Sequence, residues 1–309
     1  MGLQNRLNNG KISLTAGLLL LLVCAIWGGN AVSIKFSNQG IPPLLAATLR
    51  SVAAGFLVLL WAKFKGHGVL FPRGARRHGV MIGLLFGLDF LFLYWSVSFT
   101  TASRATIFLY SHPFWVALGA HFIVDQDRLH PAKAAGLILA FAGLWMVFRI
   151  QSPLLPENNW IGDVMGLAAA VFWAATTLYI KRISQTVTLN HYQTLFSQLV
   201  FAIPVLLAGS LLFEHDYTLV LSGPVLWAMA YQILVVAFFS YTLWFWMIHN
   251  FAVSGLTAFT FLAPVFGVFF GAVILSEPVG MRVWFGLTLV CCGIYLVNRS
   301  PKTRPFKGL

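Results

Sequence analysis

Long apolar runs, broken by short polar or basic segments, alternate along the whole chain. Ten of them approach the roughly 20 residues needed to cross a hydrocarbon core as helix, at about 1.5 Å per residue. The predicted spans are Leu14–Ile34, Pro43–Ala62, Gly79–Phe99, Ala102–Val124, Ala132–Phe148, Ile161–Ile180, His191–Phe213, Pro224–Ile248, Val253–Leu275 and Val283–Val297. The runs are continuous and show no alternation of apolar and polar positions, which predicts helices and argues against a membrane barrel. Connections are short: TTAS joins the third and fourth spans, and NFAV the eighth and ninth. The longer QSPLLPENNW, rich in Pro and Asn, separates the fifth span from the sixth.

The ten spans repeat as two sets of five. Trp27 and Lys35 in IWGGNAVSIK return as Trp173 and Lys181 in FWAATTLYIK. Trp95 is echoed by Trp246, Pro113 by Pro264, Gly136 and Gly143 by Gly286 and Gly293, and Arg149 by Arg299. Five is an odd number, so the second copy must enter the bilayer with the opposite orientation. The pattern therefore predicts an all-α membrane protein of ten transmembrane helices, as two inverted five-helix repeats over 14–150 and 160–299. Inverted repeats are characteristic of proteins that expose one midplane site alternately to the two sides of a membrane.

Composition agrees: 59% of the 309 residues are hydrophobic and only 9% charged, which excludes an ordinary soluble domain. The net charge of +12 raises nucleic acid as a partner, and its distribution argues against it. With the N-terminus in the cytoplasm, 15 of the 20 basic residues fall on the inner side, as the positive-inside rule requires. Lys35, Arg149 and Arg282 fall outside, and Arg50 and Arg104 lie in or at the edge of spans. Both termini are thus expected in the cytoplasm, in a bacterial inner membrane, with KFKGHGVLFPRGARRH resting on anionic headgroups. The first run is too long for a signal peptide. Cys24, Cys291 and Cys292 have no metal-ligand spacing and read as packing residues. Small residues at helical spacing in spans five and ten (Ala132, Gly136, Ala140, Gly143; Gly286, Gly293) suit close helix packing, within one chain or across a homodimer.

Ionisable groups inside the membrane are costly, which makes them functional candidates. Asp89 and His112 each lie about 15 Å from the start of their own span, near the midplane, with Arg50 within side-chain reach of that level. Asp89 could hold a substrate ammonium or exchange a proton, and His112 could titrate or bond a neighbouring helix. Arg50 fits a structural counter-charge for Asp89, since an unpaired buried charge is unfavourable. Asp89 is the only acidic residue the pattern places near the middle of a span. Its repeat counterpart is Ser240, and that of His112 is Ala263, so the polar centre breaks the symmetry of the scaffold. Pro113 and Pro264 each remove a mid-helix donor, freeing the carbonyls of Leu109 and Thr260, and are expected to bend spans four and nine as gates or static kinks. Asn30, Tyr110, Trp173, Tyr241, Trp244 and Thr260 complete the expected cavity lining, alongside Trp27 and the stripe Thr257, Gly267 and Gly271. Trp61, Trp160, Trp227 and Trp284 suit the interfacial belt.

These pieces together resemble EamA-type members of the drug/metabolite transporter superfamily, from Trp27 to Arg299. The resemblance is carried by IWGGNAVSIK, AATLRSVAAGFLVLL, HPFWVAL, APVFGVFFGAVILSEP, the Glu277-Pro278 end and the Gly-x6-Gly pattern of spans five and ten. VDQDRL after span four departs from the Gly-Glu pair usual there. The resemblance implies a ten-helix exporter of amino acids or other small metabolites, with a cavity between two five-helix halves. The leading expectation is accordingly a secondary transporter working by alternating access, with a small-molecule substrate, no cofactor and no metal. Proton coupling through Asp89 or His112 is compatible with this and not required by it. The alternative is a flippase or transporter of a lipid-linked or nucleotide-linked substrate, which predicts a lateral opening and a basic phosphate pocket. No paired carboxylates, nucleophile elbow, phosphate loop, filter sequence or metal motif points to an enzyme or a channel.

Overall fold

The structure is a computed structural model that describes residues 14–123, 131–150, 155–184, 186–187, 190–215, 217–250, 260 and 262–298. Among these residues the chain is helical, with no strand. The first half comprises α1 (Leu14–Ser37), α2 (Pro43–Phe64), α3 (Arg76–Phe99), α4 (Ala102–Leu109), α5 (His112–Ile123) and α6 (Pro131–Phe148). The second comprises α7 (Asn159–Ile183), α8 (His191–Phe213), α9 (Gly223–Ala230), a π-helical stretch over Tyr231–Ser240, α10 (Tyr241–Asn250), α11 (Leu262–Ile274) and α12 (Met281–Asn298). Among the described residues, six helices are long and apolar enough to cross a membrane: Thr15–Ser37, Pro43–Phe64, Arg73–Phe99, Asn159–Ile183, His191–Phe213 and Gly223–Trp244. Shorter apolar helices occupy Ala134–Phe148, Leu262–Ile274 and Met281–Leu296.

The fourth expected span, Ala102–Val124, is two helices. Thr101 caps α4, its side chain accepting from the Arg104 amide at 3.2 Å. The helix stops at Leu109, and Ser111 Oγ donates to the Phe108 carbonyl at 2.6 Å. Pro113, with no N–H for the carbonyl of Leu109, sits at the second position of α5, where that loss is tolerated. The break thus falls at Tyr110–Ser111, just ahead of the proline. Pro264 is likewise the third residue of α11 rather than a mid-helix residue. Thr257 and the expected stretch upstream of it lie outside the described residues.

Lipid supplies little hydrophobic drive between helices, so close packing has to come from small residues and polar bonds. α6 and α12 show this most fully. A Cβ on Gly143 would meet the Gly286 carbonyl oxygen at 2.6 Å, and one on Gly293 the Gly136 carbonyl oxygen at 2.6 Å. The stripe of small residues is therefore used within the chain. α1 lies equally close to α11, since a Cβ on Gly28 would stand 2.7 Å from the Gly267 nitrogen. The two halves are interleaved, with α3 packed on α7 and α8, α2 on α8, α1 on α11, and α7 on α4 and α5. The largest core, including Ala47, Ala54, Phe90, Tyr94, Leu199 and Leu206, joins α2, α3 and α8. Apolar side chains such as Phe56, Phe122, Trp145 and Leu211 point outward, as a lipid-facing surface requires.

Candidate functional site

A cavity of about 250 Å³ lies between the halves, at the small end of the range for metabolite sites. Trp27 and Asn30 face it from α1, and Phe86, Asp89, Phe90 and Leu93 from α3. Leu109 and Tyr110 enter where α4 breaks, so the interrupted backbone borders the cavity. α7 contributes Trp173, Thr176, Thr177 and Ile180, one helical face; α8 adds Gln198. Val236 of the π-helical stretch, with Tyr241 and Trp244 of α10, completes the wall. The π-helical winding of Tyr231–Ser240 shifts the register of the side chains that follow it, here Tyr241 and Trp244.

The rings form a nearly continuous box. Trp27 meets Trp244 edge-on at 5.1 Å between centroids and Tyr241 at 6.3 Å, while Tyr110 meets Trp173 at 5.6 Å. Trp27 Nε1 donates to Ser240 Oγ at 2.9 Å, and Ser240 donates on to the Val236 carbonyl at 2.6 Å. The position that mirrors Asp89 is thus spent on holding a ring.

Six of the eight expected binding residues line this cavity: Asn30, Asp89, Tyr110, Trp173, Tyr241 and Trp244. His112 and Thr260 do not. The His112 imidazole stacks on Trp173 at 3.7 Å between centroids and 12° between planes, which places it behind that ring. Thr260 is buried, and its carbonyl accepts from the Ala263 amide at 3.1 Å. Phe86, Phe90, Thr176, Thr177 and Gln198 are wall residues that sequence reasoning did not select. Arg50 and Asp89 make no ion-pair contact, and the guanidinium acts on the carboxylate through space instead. Arg50, fully buried, donates from Nη2 to Tyr241 Oη at 3.3 Å and lies over the Phe90 ring at 4.2 Å. Its Nε and Nη1 have no hydrogen-bond partner, nor does Asp89 Oδ1.

Asp89 is also not the only acid embedded in a helix. Asp163, in the second turn of α7, is fully buried and ion-paired to Arg104 through both carboxylate oxygens, with Nε to Oδ1 at 3.0 Å. Thr100 donates to the same Oδ1 at 3.1 Å, and Arg104 Nη1 donates to the Val147 carbonyl at 2.8 Å. Arg104 is therefore sealed, with no face left for a ligand phosphate. Two further carboxylates cap helices of the first half from the second. Glu277 accepts from the Ala102 and Ser103 amides at 2.6 and 2.9 Å, and Glu214 from the Leu44 and Leu45 amides at 2.6 and 3.1 Å. An anion at a helix N-terminus satisfies orphan amides and complements the dipole. Gln232 adds a bridge, accepting from Tyr94 Oη and donating to Ser37 Oγ at 3.0 Å. All these contacts gather at one end of the bundle, where α1, α3, α6, α8 and α11 finish. Along α7 the cavity begins about 15 Å away from Asp163 and continues to Ile180, where Thr177 is exposed. One end is thus latched by polar bonds, and the cavity extends toward the other.

The profile of the EamA-like transporter family matches residues 14–149 and again 160–299. The chain belongs to the EamA-like transporter family. An uncharacterized transporter of Bacillus subtilis, YoaV, is 23% identical over 278 residues, covering 90% of this chain and 94% of that protein. A protein of Escherichia coli K12 named a probable amino-acid metabolite efflux pump is 27% identical over 297 residues, covering 91% and 93%. A solved crystal structure shares the fold at a TM-score of 0.64 and 21% identity, covering 93% of this chain and 98% of that one. This EamA-family chain is an integral membrane transporter and not an enzyme.

Proposed function

We propose that this protein exports amino acids or similar small metabolites by alternating access, through the cavity between its two halves. In this reading ten helices cross the membrane as two inverted repeats, 14–150 and 160–299. The reciprocal packing of α1 on α11 and of α7 on α4 and α5 supports that symmetry. With both termini in the cytoplasm of a bacterial inner membrane, the latched end faces outward and the cavity loads from within.

The observation that carries the reading is the pairing of one aromatic, partly polar cavity with a closed polar latch above it. Transport then requires the latch to part while the cytoplasmic side closes over the substrate. Tyr110, at the break between α4 and α5, and the π-helical stretch ahead of Tyr241 are the places where the backbone departs from regular α-helix beside the site. Pro113 and Pro264 sit at the starts of the moving segments, consistent with gating hinges. A homodimer would need a face other than the α6–α12 stripe, and proton exchange would fall to Asp89, the one titratable carboxylate in the described walls. The lipid-carrier alternative gains a lateral groove between α1, α9 and α11, and loses its phosphate anchor. The walls of that groove, among them Val32, Phe36, Trp227 and Phe270, hold no cation.

Efflux from a metabolite-sensitive strain tests the proposal: overproduction should raise tolerance to some members of a panel of amino acids and amines and lower their cytoplasmic content. Equal sensitivity and equal content across the whole panel would refute it.

A further inference from the structure

We propose that the cavity selects its substrate by a protonated amine and discriminates against a free carboxylate, with Asp89 receiving the ammonium and the tryptophan box enclosing an apolar or aromatic body. The inference rests on the reading of this cavity as the transport site and narrows its substrate class from amino acids to amines and similar metabolites without a free carboxylate.

Charge in the walls is the first argument. Of the described residues facing the cavity, Asp89 alone carries a formal charge; no Lys, Arg or His lines it. Asn30, Thr176, Thr177 and Gln198 can bond a hydroxyl or amide but cannot neutralise an anion. The Arg50 guanidinium is not part of the wall; it is fully buried over the Phe90 and Tyr241 rings at 4.2 and 5.8 Å. A substrate carboxylate entering this space would lose its hydration without gaining a cation.

The carboxylate itself is the second argument. Asp89 is only 3% exposed, and its Oδ1 has no partner. Arg50 acts on this carboxylate through space without an ion-pair contact, so Asp89 keeps bonding capacity for a cation that comes and goes. Its repeat counterpart Ser240 is fully engaged with Trp27 and Val236, so the asymmetry lies in this one group.

Ring geometry is the third. Trp27 contacts Trp244 and Tyr241, Tyr110 contacts Trp173, and all five rings line the cavity with Asp89. The face of an aromatic ring attracts an ammonium group and repels a carboxylate through its quadrupole.

Three ligands with one body separate the charges: phenethylamine, phenylalanine and 3-phenylpropionate, none of which absorbs at the tryptophan excitation wavelength. Quenching of intrinsic tryptophan fluorescence in the full-length protein in detergent should rank them in that order. The amine should bind at least about tenfold more tightly than the zwitterion, as expected for one desolvated charge contact. Asp89→Asn should remove that advantage, and Asp89→Glu should restore part of it. Phenylalanine binding as tightly as phenethylamine, or amine affinity unchanged in Asp89→Asn, overturns the proposal while leaving the transport reading intact. Should Asp89→Asn fail to fold, the ranking of the three ligands on the unaltered protein still decides. If none of the three binds, the proposal falls, and efflux across the wider panel then reports separately on whether the cavity transports anything.

Discussion

Replacing Arg104 by Met should destabilise the protein through the group it leaves behind. The guanidinium is 2% exposed and its partner Asp163 fully buried; they share two bonds, and Arg104 also satisfies the Val147 carbonyl at 2.8 Å. In Arg104→Met, Asp163 keeps only the Thr100 hydroxyl, and stranding a buried charge in this way costs about 3–5 kcal/mol. Asp163→Leu should cost a similar amount, because it strands the arginine. The double variant Arg104→Met/Asp163→Leu removes both charges and should recover most of the loss, short of about 1 kcal/mol for the forfeited carbonyl bonds. Reversible unfolding by SDS in mixed micelles, on all four proteins, gives the coupling energy directly. Single variants within about 0.5 kcal/mol of the parent, or losses that simply add in the double, would refute the reasoning, since such behaviour belongs to solvent-exposed pairs.

Glu277→Ala should cost roughly 1–2 kcal/mol in the same assay, because the first two amides of α4 lose their acceptor, and Glu277→Gln should cost less. Gly286→Ala should lower thermal stability in detergent by roughly 1–3 kcal/mol, since its Cβ would meet Val147 Cγ2 at 2.6 Å and the Gly143 carbonyl oxygen at 3.0 Å. Trp173→Ala should raise KM severalfold with a smaller effect on thermal stability, because the ring forms one wall and is held by His112; an unchanged KM would remove Trp173 from the site.

Much of this fold is visible in the sequence because the bilayer imposes one requirement, a long apolar helix, on most elements. The runs at Pro43, His191 and Pro224 meet it and coincide with helices to within a few residues. Less visible are the places where tertiary bonds decide. The break at Tyr110–Ser111 depends on Thr101 and Ser111 bonding to backbone as well as on Pro113, and the π-helical winding over Tyr231–Ser240 has no local signature. Depth along a helix nominated both Asp89 and His112, and only Asp89 lines the cavity, because depth cannot choose a face. His112 accordingly falls behind Trp173, while Thr176 and Thr177 reach the cavity unannounced. The latch was least legible. Asp163, Glu214 and Glu277 lie near the ends of apolar runs, where an acid reads as an ordinary boundary. Only the assembled bundle shows them meeting Arg104 and the N-termini of α4 and α2.

The central claim is that one cavity, closed at the latched end, serves as the transport site. Thr177→Cys, in a background with Cys24, Cys291 and Cys292 replaced, places a reporter on the exposed part of its wall in oriented membrane vesicles. A membrane-impermeant thiol reagent should modify it from the cytoplasmic side only, at a rate lowered by any compound the protein exports. Equal modification from both sides, or a rate indifferent to every exported compound, would contradict the account.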